Sequence, residues 1–487
     1  MCSDDQHKIW ICSSCIKESY LQEKININNN KEKCHYCNNI RACFSLESVG
    51  DIVEQAVREH FIRTPTEPSD LEYSMSKCSK YKWERKGDGI DDIIQELLET
   101  EDIIAYDIRE YIEDKNYIYD STGEETEFSS ESYYIEREKV DTEYLDTIWD
   151  NFVSSLQTES RYINHTVKDT LDSIFSGIER MSAGGGQAII VNSGPGTKID
   201  SLYRARWSNN QATSEQMIVI PDKELGPPPY KFSGFNRMSA RGISVFYGAS
   251  SVSTAISEIR PPVGSEVISA KFRIIRPLKL LNLKALKTAW ERGSMLDPDY
   301  IMKREQITFL RTLTNKIVNP VLPGEEEFSY IPTQVIAEYL ANSPELNLDG
   351  ILYPSVQQSA SDTLSNFNVV LFHKASRVKY LELPAKEECY VNYWQQYDEN
   401  DDELDICVIQ KNELKKTAPL YDSDTKNKDE REPSLEIELK TVEVHTIKSA
   451  NFNYTSNPVK RRKFITSGSI NNQNISNDKC NDLYFDS

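Results

Sequence analysis

Two pairs of cysteines near the start of the chain constrain its folding more than any other feature. Cys12 and Cys15 are two residues apart, 18 residues follow, and Cys34 and Cys37 repeat the spacing. Thiolate pairs at the tips of two turns suit a tetrahedral zinc ion, and the gap is that of a zinc ribbon. A closed four-thiolate shell leaves no open coordination position, so the spacing predicts structural rather than catalytic Zn2+. His35, inside the second pair, and Cys43, beyond it, are spare candidates. The competing reading, two disulfides, needs an oxidising compartment. Residues 1–15 lack a basic start and a long apolar stretch, and no run of about 18 apolar residues occurs. The expectation is therefore no secretory signal, no membrane span and a cytoplasmic location.

Charge narrows the partners. The 487 residues carry 56 Lys+Arg against 77 Asp+Glu, a net charge of −21. A protein that grips a polyanion with its whole surface needs a basic face, so general DNA or RNA binding is excluded. A local patch stays open as a nucleic-acid contact, for which the run Lys460-Arg461-Arg462-Lys463 is the candidate.

The texture changes along the chain and suggests several domains. Residues 1–47 form the zinc ribbon. Over 48–185 the apolar residues recur at helical spacing: Ile93, Ile94, Leu97 and Leu98, then Ile103 to Ile112, and later Trp149, Phe152, Val153 and Leu156. A polar break at 121–123 interrupts them. Arg161 and His165 are four apart and are expected on one helix face. Residues 186–200, with Gly194-Pro195-Gly196, read as linker. From 201 to 378 short strands alternate with helices; strand candidates are 201–207, 244–250, 266–274, 278–283 and 369–372. Ser253 is the expected N-cap of a short helix carrying Glu258. Residues 379–455 form an extension in which the alternation Leu435, Ile437, Leu439 then Val442, Val444 suggests a strand or hairpin. Residues 456–487, rich in Asn and Ser, read as a disordered tail.

The middle region holds residues suited to splitting an N-glycosidic bond. Arg204 lies on a strand candidate, Arg237 follows in Phe235-Asn236-Arg237-Met238-Ser239, Tyr247 comes ten positions later and Glu258 eleven after that. Arginine forks bind pyrophosphate. A tyrosine ring stacks on a flat base. A carboxylate holds a ribose hydroxyl and stabilises an oxocarbenium-like transition state. Spacing alone leaves open the alternative that these are surface charges and a core tyrosine. Only His373 lies in this region, so a histidine-centred triad is not expected.

The stretch Asn236-Arg237-Met238-Ser239-Ala240-Arg241-Gly242-Ile243-Ser244-Val245-Phe246-Tyr247-Gly248-Ala249, followed by Thr254-Ala255-Ile256-Ser257-Glu258-Ile259-Arg260-Pro261, resembles the core signature of the RES domain. So do Tyr203-Arg204-Ala205-Arg206, the segment from Tyr330 to Leu340, Asp349-Gly350-Ile351-Leu352-Tyr353-Pro354-Ser355 and Asn368-Val369-Val370-Leu371-Phe372. Ala240-Arg241 stands where the pattern expects a proline. More loosely, the N-terminal part resembles the HEPN-associated region that precedes such domains. HEPN domains space their Arg and His by four to six residues, whereas three separate Arg161 from His165.

The resemblance implies a multidomain chain: a small zinc ribbon, an all-α HEPN-like domain, an α+β RES domain similar to ADP-ribosyltransferase toxins, and a partly disordered tail. It implies an enzyme of the toxin–antitoxin type that takes NAD+ as substrate and cleaves its nicotinamide–ribose bond, using water or phosphate. By that analogy Arg204 and Arg237 bind the phosphates and ribose, Tyr247 packs on the nicotinamide, Glu258 serves the scissile bond and Ser355 donates a hydrogen bond to NAD+. An antitoxin or other regulatory partner fits this picture, as does a homo-oligomer. The alternatives are ADP-ribose transfer to a macromolecule, or a non-enzymatic module that senses RNA or a partner.

Overall fold

The computed structural model describes residues 8–78, 82–117, 126–137, 142–161, 164–318, 321, 324–355, 366–398, 401–411, 429–450 and 456–459. The Lys460–Lys463 run, the rest of the tail with Cys480, and the break at 121–123 lie outside the described residues.

The metal-type knuckles are built on three short antiparallel strands, Trp10–Cys12, Lys31–Lys33 and Ile40–Ser45, with the last in the middle. A helix, Ser19–Asn28, lies between the two cysteine pairs, and the Glu18 carboxylate accepts from the Tyr20 and Leu21 backbone N–H groups to cap it. Ile11, Ile16 and Leu21 share one core with Val53 of helix Leu46–His60, Ile94 of Ile90–Leu98 and Ile108 of Asp102–Asn116. The knuckles are therefore fused to these helices. Thr100 Oγ1 donates to the Cys15 carbonyl over 2.8 Å, and Tyr36 donates to Asp107 over 2.7 Å.

Residues 48–185 are not all-α and do not share one core. Strands Phe61–Arg63, Asp88–Gly89 and Tyr133–Glu136 form a small antiparallel sheet. Helices Glu143–Thr158 and His165–Phe175 leave the N-terminal core and pack on helices Tyr300–Val318 and Ile331–Asn342. The reason is their stripe: Trp149, Phe152, Leu156, Leu171 and Phe175 find the matching apolar faces there, with Trp149 and Phe309 rings 6.1 Å apart. Arg161 does not share a helix with His165, which begins the second helix; Arg161 sits in the connection and donates to the Leu156 carbonyl.

The central sheet has nine strands: β1 Ile190–Ser193, β2 Ser201–Ser208, β3 Phe246–Ala249, β4 Glu266–Ile274, β5 Leu278–Asn282, β6 Gly350–Pro354, β7 Phe367–Leu371, β8 Leu435–Ile437 and β9 Glu443–Thr446. Their order is β8-β4-β2-β3-β7-β6-β5-β1, with β9 also on β4, and every pairing is antiparallel except β5 with β6. The expected linker thus supplies an edge strand, β1. The alternating 435–444 stretch supplies the other edge; it is not a hairpin, because both segments pair with β4 and a 3-10 turn, Leu439–Thr441, joins them. Asp398 and four acidic residues from 401 to 405 lie in a separate antiparallel strand pair, Cys389–Asp398 with Asp401–Gln410.

Both faces of the sheet are covered. Ile351, Val370 and Leu281 point to the layer of helices 143–175 and 300–342, while Leu352, Val369, Leu371 and Leu280 point to the opposite core with Leu202, Phe246 and Phe272. Strands buried on both faces read as continuous apolar runs. Gly350 is needed for close approach: a Cβ there would stand 2.2 Å from the Val370 carbonyl oxygen.

Candidate active site and metal centre

Register brings the candidate residues together on the helix-covered face. Tyr247 on β3 pairs with Val370 on β7, which pairs with Ile351 on β6; two residues along, Ala249 pairs with Asn368 and Asn368 with Tyr353. Side chains of i and i+2 share a face, so Tyr247, Asn368 and Tyr353 project to the same side. Over that side lies helix Val252–Ile259. Its N-cap is Ser251 rather than Ser253: the Ser251 hydroxyl accepts from the Thr254 N–H over 3.1 Å. Two alanines beneath it, Ala205 and Ala249, and Ala255 on its own inner face let the helix ride close to the sheet.

Glu258 sits in the last turn of this helix, and its carboxylate reaches down to the strands. Oε2 accepts from Asn368 Nδ2 at 2.8 Å and Oε1 accepts from the Tyr353 hydroxyl at 3.5 Å. Burial first, then the Glu258 charge, pushes the Tyr353 pKa far above its usual value, so its hydroxyl stays a donor. The Tyr247 pKa is also raised, chiefly by burial, while Arg237 pulls it down and Glu258 adds to the rise. The Tyr247 hydroxyl donates to Asn236 Oδ1 at 2.5 Å.

Arg237 follows Asn236 in a turn held by helix Ile331–Asn342: Gln334 Nε2 donates to the Asn236 carbonyl at 2.7 Å and Thr333 Oγ1 to the Arg237 carbonyl at 2.6 Å. The Arg237 guanidinium lies over the Tyr330 ring, 5.3 Å from its centroid, and donates to the Ile317 carbonyl at 2.7 Å. Arg237 and Glu258 act in opposite senses on the Tyr247 and Tyr353 hydroxyls.

Arg204 is set apart from these three. By alternation it follows Leu202, and its guanidinium stacks 4.7 Å from the centroid of Phe246, on the other side of the sheet. Strands β2 and β3 pair only at Ala249 and Tyr203, so Arg204 lies where the sheet opens. Burial, reinforced by Arg206, disfavours its charge, and its Nη1 is buried with no hydrogen-bond partner among the described residues. Ser355 lies just past the end of β6, two residues after Tyr353, with a buried hydroxyl that has no partner among the described residues.

Reasoning from the sequence left Asn236, Tyr330, Tyr353 and Asn368 without roles. Asn368 carried a usable signal, since an asparagine inside Phe367-Asn368-Val369-Val370-Leu371 is out of place in a buried strand.

The four N-terminal cysteines gather as expected. Their sulfurs all lie within 4.8 Å of one another, with Cys12–Cys15 at 3.6 Å, Cys12–Cys37 at 3.5 Å and Cys15–Cys34 at 3.7 Å. A tetrahedron with zinc–sulfur arms of about 2.3 Å has edges of about 3.8 Å, so the spacing fits the ion. Cys43 is turned away, its sulfur against the Glu32 and Arg41 carbonyls, and exposed His35 packs edge-on against Tyr36; neither joins the cluster. Among the described residues no helix is long and apolar enough to cross a membrane.

No curated protein and no solved structure matches the chain. Residues 201–392 match the family model of the RES domain, which supports the RES family for this part of the chain and with it an NAD+-related, toxin-associated enzyme.

Proposed function

We propose that this protein degrades NAD+ by cleaving the bond between nicotinamide and ribose, as a toxin or defence effector. The observation that carries the reading is the Glu258 carboxylate, fixed by Asn368 and Tyr353 within the electrostatic reach of Tyr247 and Arg237, inside the RES match. Nicotinamide leaves readily from its cationic form, so the protein must chiefly hold the dinucleotide and stabilise positive charge on the ribose. In this reading Glu258 faces the developing oxocarbenium ion and holds a ribose hydroxyl. Tyr247 packs on the nicotinamide end; its raised pKa keeps the hydroxyl neutral at any working pH. Arg237 binds phosphate, and the unpartnered Nη1 of Arg204 supplies a second charge from the opening between β2 and β3. The Ser355 hydroxyl is a further donor. Water or inorganic phosphate then attacks C1′. The cysteine cluster holds structural zinc through Cys12, Cys15, Cys34 and Cys37.

The test is incubation of purified protein with NAD+, with and without phosphate, followed by chromatography of the products. Free nicotinamide should appear together with ADP-ribose or its 1″-phosphate. Glu258→Gln should lower kcat by at least about 100-fold, the scale of losing a transition-state charge partner, while the circular dichroism spectrum stays unchanged. Intact NAD+ after incubation with wild-type protein rules the activity out.

A further inference from the structure

Asn368 breaks the local rules of its strand. It stands between Phe367 and Val369 in β7, a central strand, is 1% exposed, and asparagine is depleted from such positions. Its amide makes one polar contact inside the sheet, Nδ2 to Glu258 Oε2 at 2.8 Å, and its Oδ1 has no partner among the described residues. Leaving a buried acceptor unmet is costly, and such violations are kept where function needs them. The amide orientation follows from chemistry: a carboxylate accepts only, so the nitrogen must face it. Directly opposite on β6, Tyr353 is 8% exposed and points its hydroxyl at the other oxygen of the same carboxylate. Glu258 itself is exposed, near the end of a short helix, whereas both donors that fix its carboxylate come from the interior of the sheet.

We propose that Asn368, seconded by Tyr353, is the positioning residue of the site: it holds the Glu258 carboxylate in the single orientation that faces the ribose. The proposal rests on the reading of Glu258 as the carboxylate at the scissile bond. Neither residue touches the reacting atoms in this account; both act through Glu258. A glutamate side chain with three free torsions on a surface helix samples several orientations, and two donors converging from adjacent strands remove that freedom before substrate arrives.

The test is a double-mutant cycle on NAD+ consumption with wild type, Asn368→Ala, Glu258→Gln and the double variant. Asn368→Ala should lower kcat roughly 10- to 100-fold, the scale of a hydrogen bond to a charged group, with KM and Tm little changed. In the Glu258→Gln background the same substitution should change kcat less than about 2-fold, because a residue acting through another loses its effect with it. Tyr353→Phe, which removes only a hydroxyl, should lower kcat a few-fold, and Asn368→Thr replaces the alanine variant if that one does not fold. Losses that multiply in the double variant, or an unchanged kcat in Asn368→Ala, overturn the proposal. Crystal structures of wild type and Asn368→Ala decide it separately from turnover. The carboxylate should leave its place beside Tyr353 in the variant; if it stays, Asn368 does not position it. A wild type that spares NAD+ defeats the functional reading alone, and these crystal structures then still decide the positioning claim.

Discussion

At the scale of single residues, the candidate site includes buried polar atoms without a partner among the described residues. Arg204 is the clearest case: a guanidinium stacked on Phe246, with Nη1 buried and unpaired among the described residues. An uncompensated buried charge is destabilising, and a ligand anion relieves it. Arg204→Met, which keeps the stem, should therefore raise the Tm of the free protein while increasing KM for NAD+ about 10-fold or more, the scale of a charge-assisted hydrogen bond. Calorimetry and steady-state kinetics on the same preparation check both halves. Spacing alone left Arg237, Tyr247 and Glu258 open to reading as surface charges and a core tyrosine; the RES resemblance pointed to them, and neither gave an account of what holds their geometry. Asn236, Tyr330, Tyr353 and Asn368 do that through contacts between residues far apart in the chain, which no local pattern encodes.

At the scale of elements, the short helix Val252–Ile259 does most to place the carboxylate, and its start is set about two turns before Glu258. Ser251 satisfies the Thr254 N–H, and Ser251→Ala should cost about 1 kcal/mol of stability, read from a urea midpoint. The sequence reading placed the cap at Ser253, and the backbone conformation corrects it: Ser251 is extended, as an N-cap must be, while Ser253 is inside the helix. Strand β4 was legible to the residue, because nine residues rich in β-branched and aromatic types fill it. Strand β1 was hidden in what looked like linker, since four residues beside a Gly-Pro-Gly turn carry little pattern until β5 offers them a partner. The same holds for β8 and β9. Their alternation was visible, but their joint docking on one strand was not.

At the scale of the whole molecule, the N-terminal unit is packed against the RES-matched region rather than tethered to it. Leu296 is buried in the N-terminal core, Arg304 pairs with Glu136 at 3.1 Å, and Arg304 Nη1 meets His60 Nδ1 at 3.3 Å. Burial first and then Arg304 push the His60 pKa down, with Glu59 and Glu136 opposing. The unfolded chain binds a proton at His60 near pH 6.5 and the folded chain only at lower pH, so the unfolded state holds more protons in that window. Stability should thus fall as pH drops below about 6.5, and a His60→Gln variant should lose that part of the slope, as seen in urea midpoints between pH 7.5 and 5.5. Metal removal acts on the same unit. Cys12 and Cys34 are fully buried beside Cys43, and structural zinc contributes its binding energy to folding. A strong chelator, or Cys34→Ser, should release the bound zinc and abolish amide-exchange protection in residues 10–60 while β4 and β7 stay protected.

By itself the sequence determined what repeats along the chain or sits close within it. This covers the two cysteine pairs, the apolar periods of helices and strands, the acidic excess, and the RES-like order of Arg204, Arg237, Tyr247 and Glu258. These are local because helix and strand periods, turn chemistry and knuckle spacing act over a few residues. Only the tertiary structure decided the rest. It split the helical region between two cores, and it recruited β1, β8 and β9 from outside the RES-matched stretch. It also set Arg204 behind Phe246 and converged Asn368 and Tyr353 on one carboxylate. Each of those follows from which apolar faces and strand edges find one another across the chain, a choice that burial and backbone pairing make only when the whole sheet assembles.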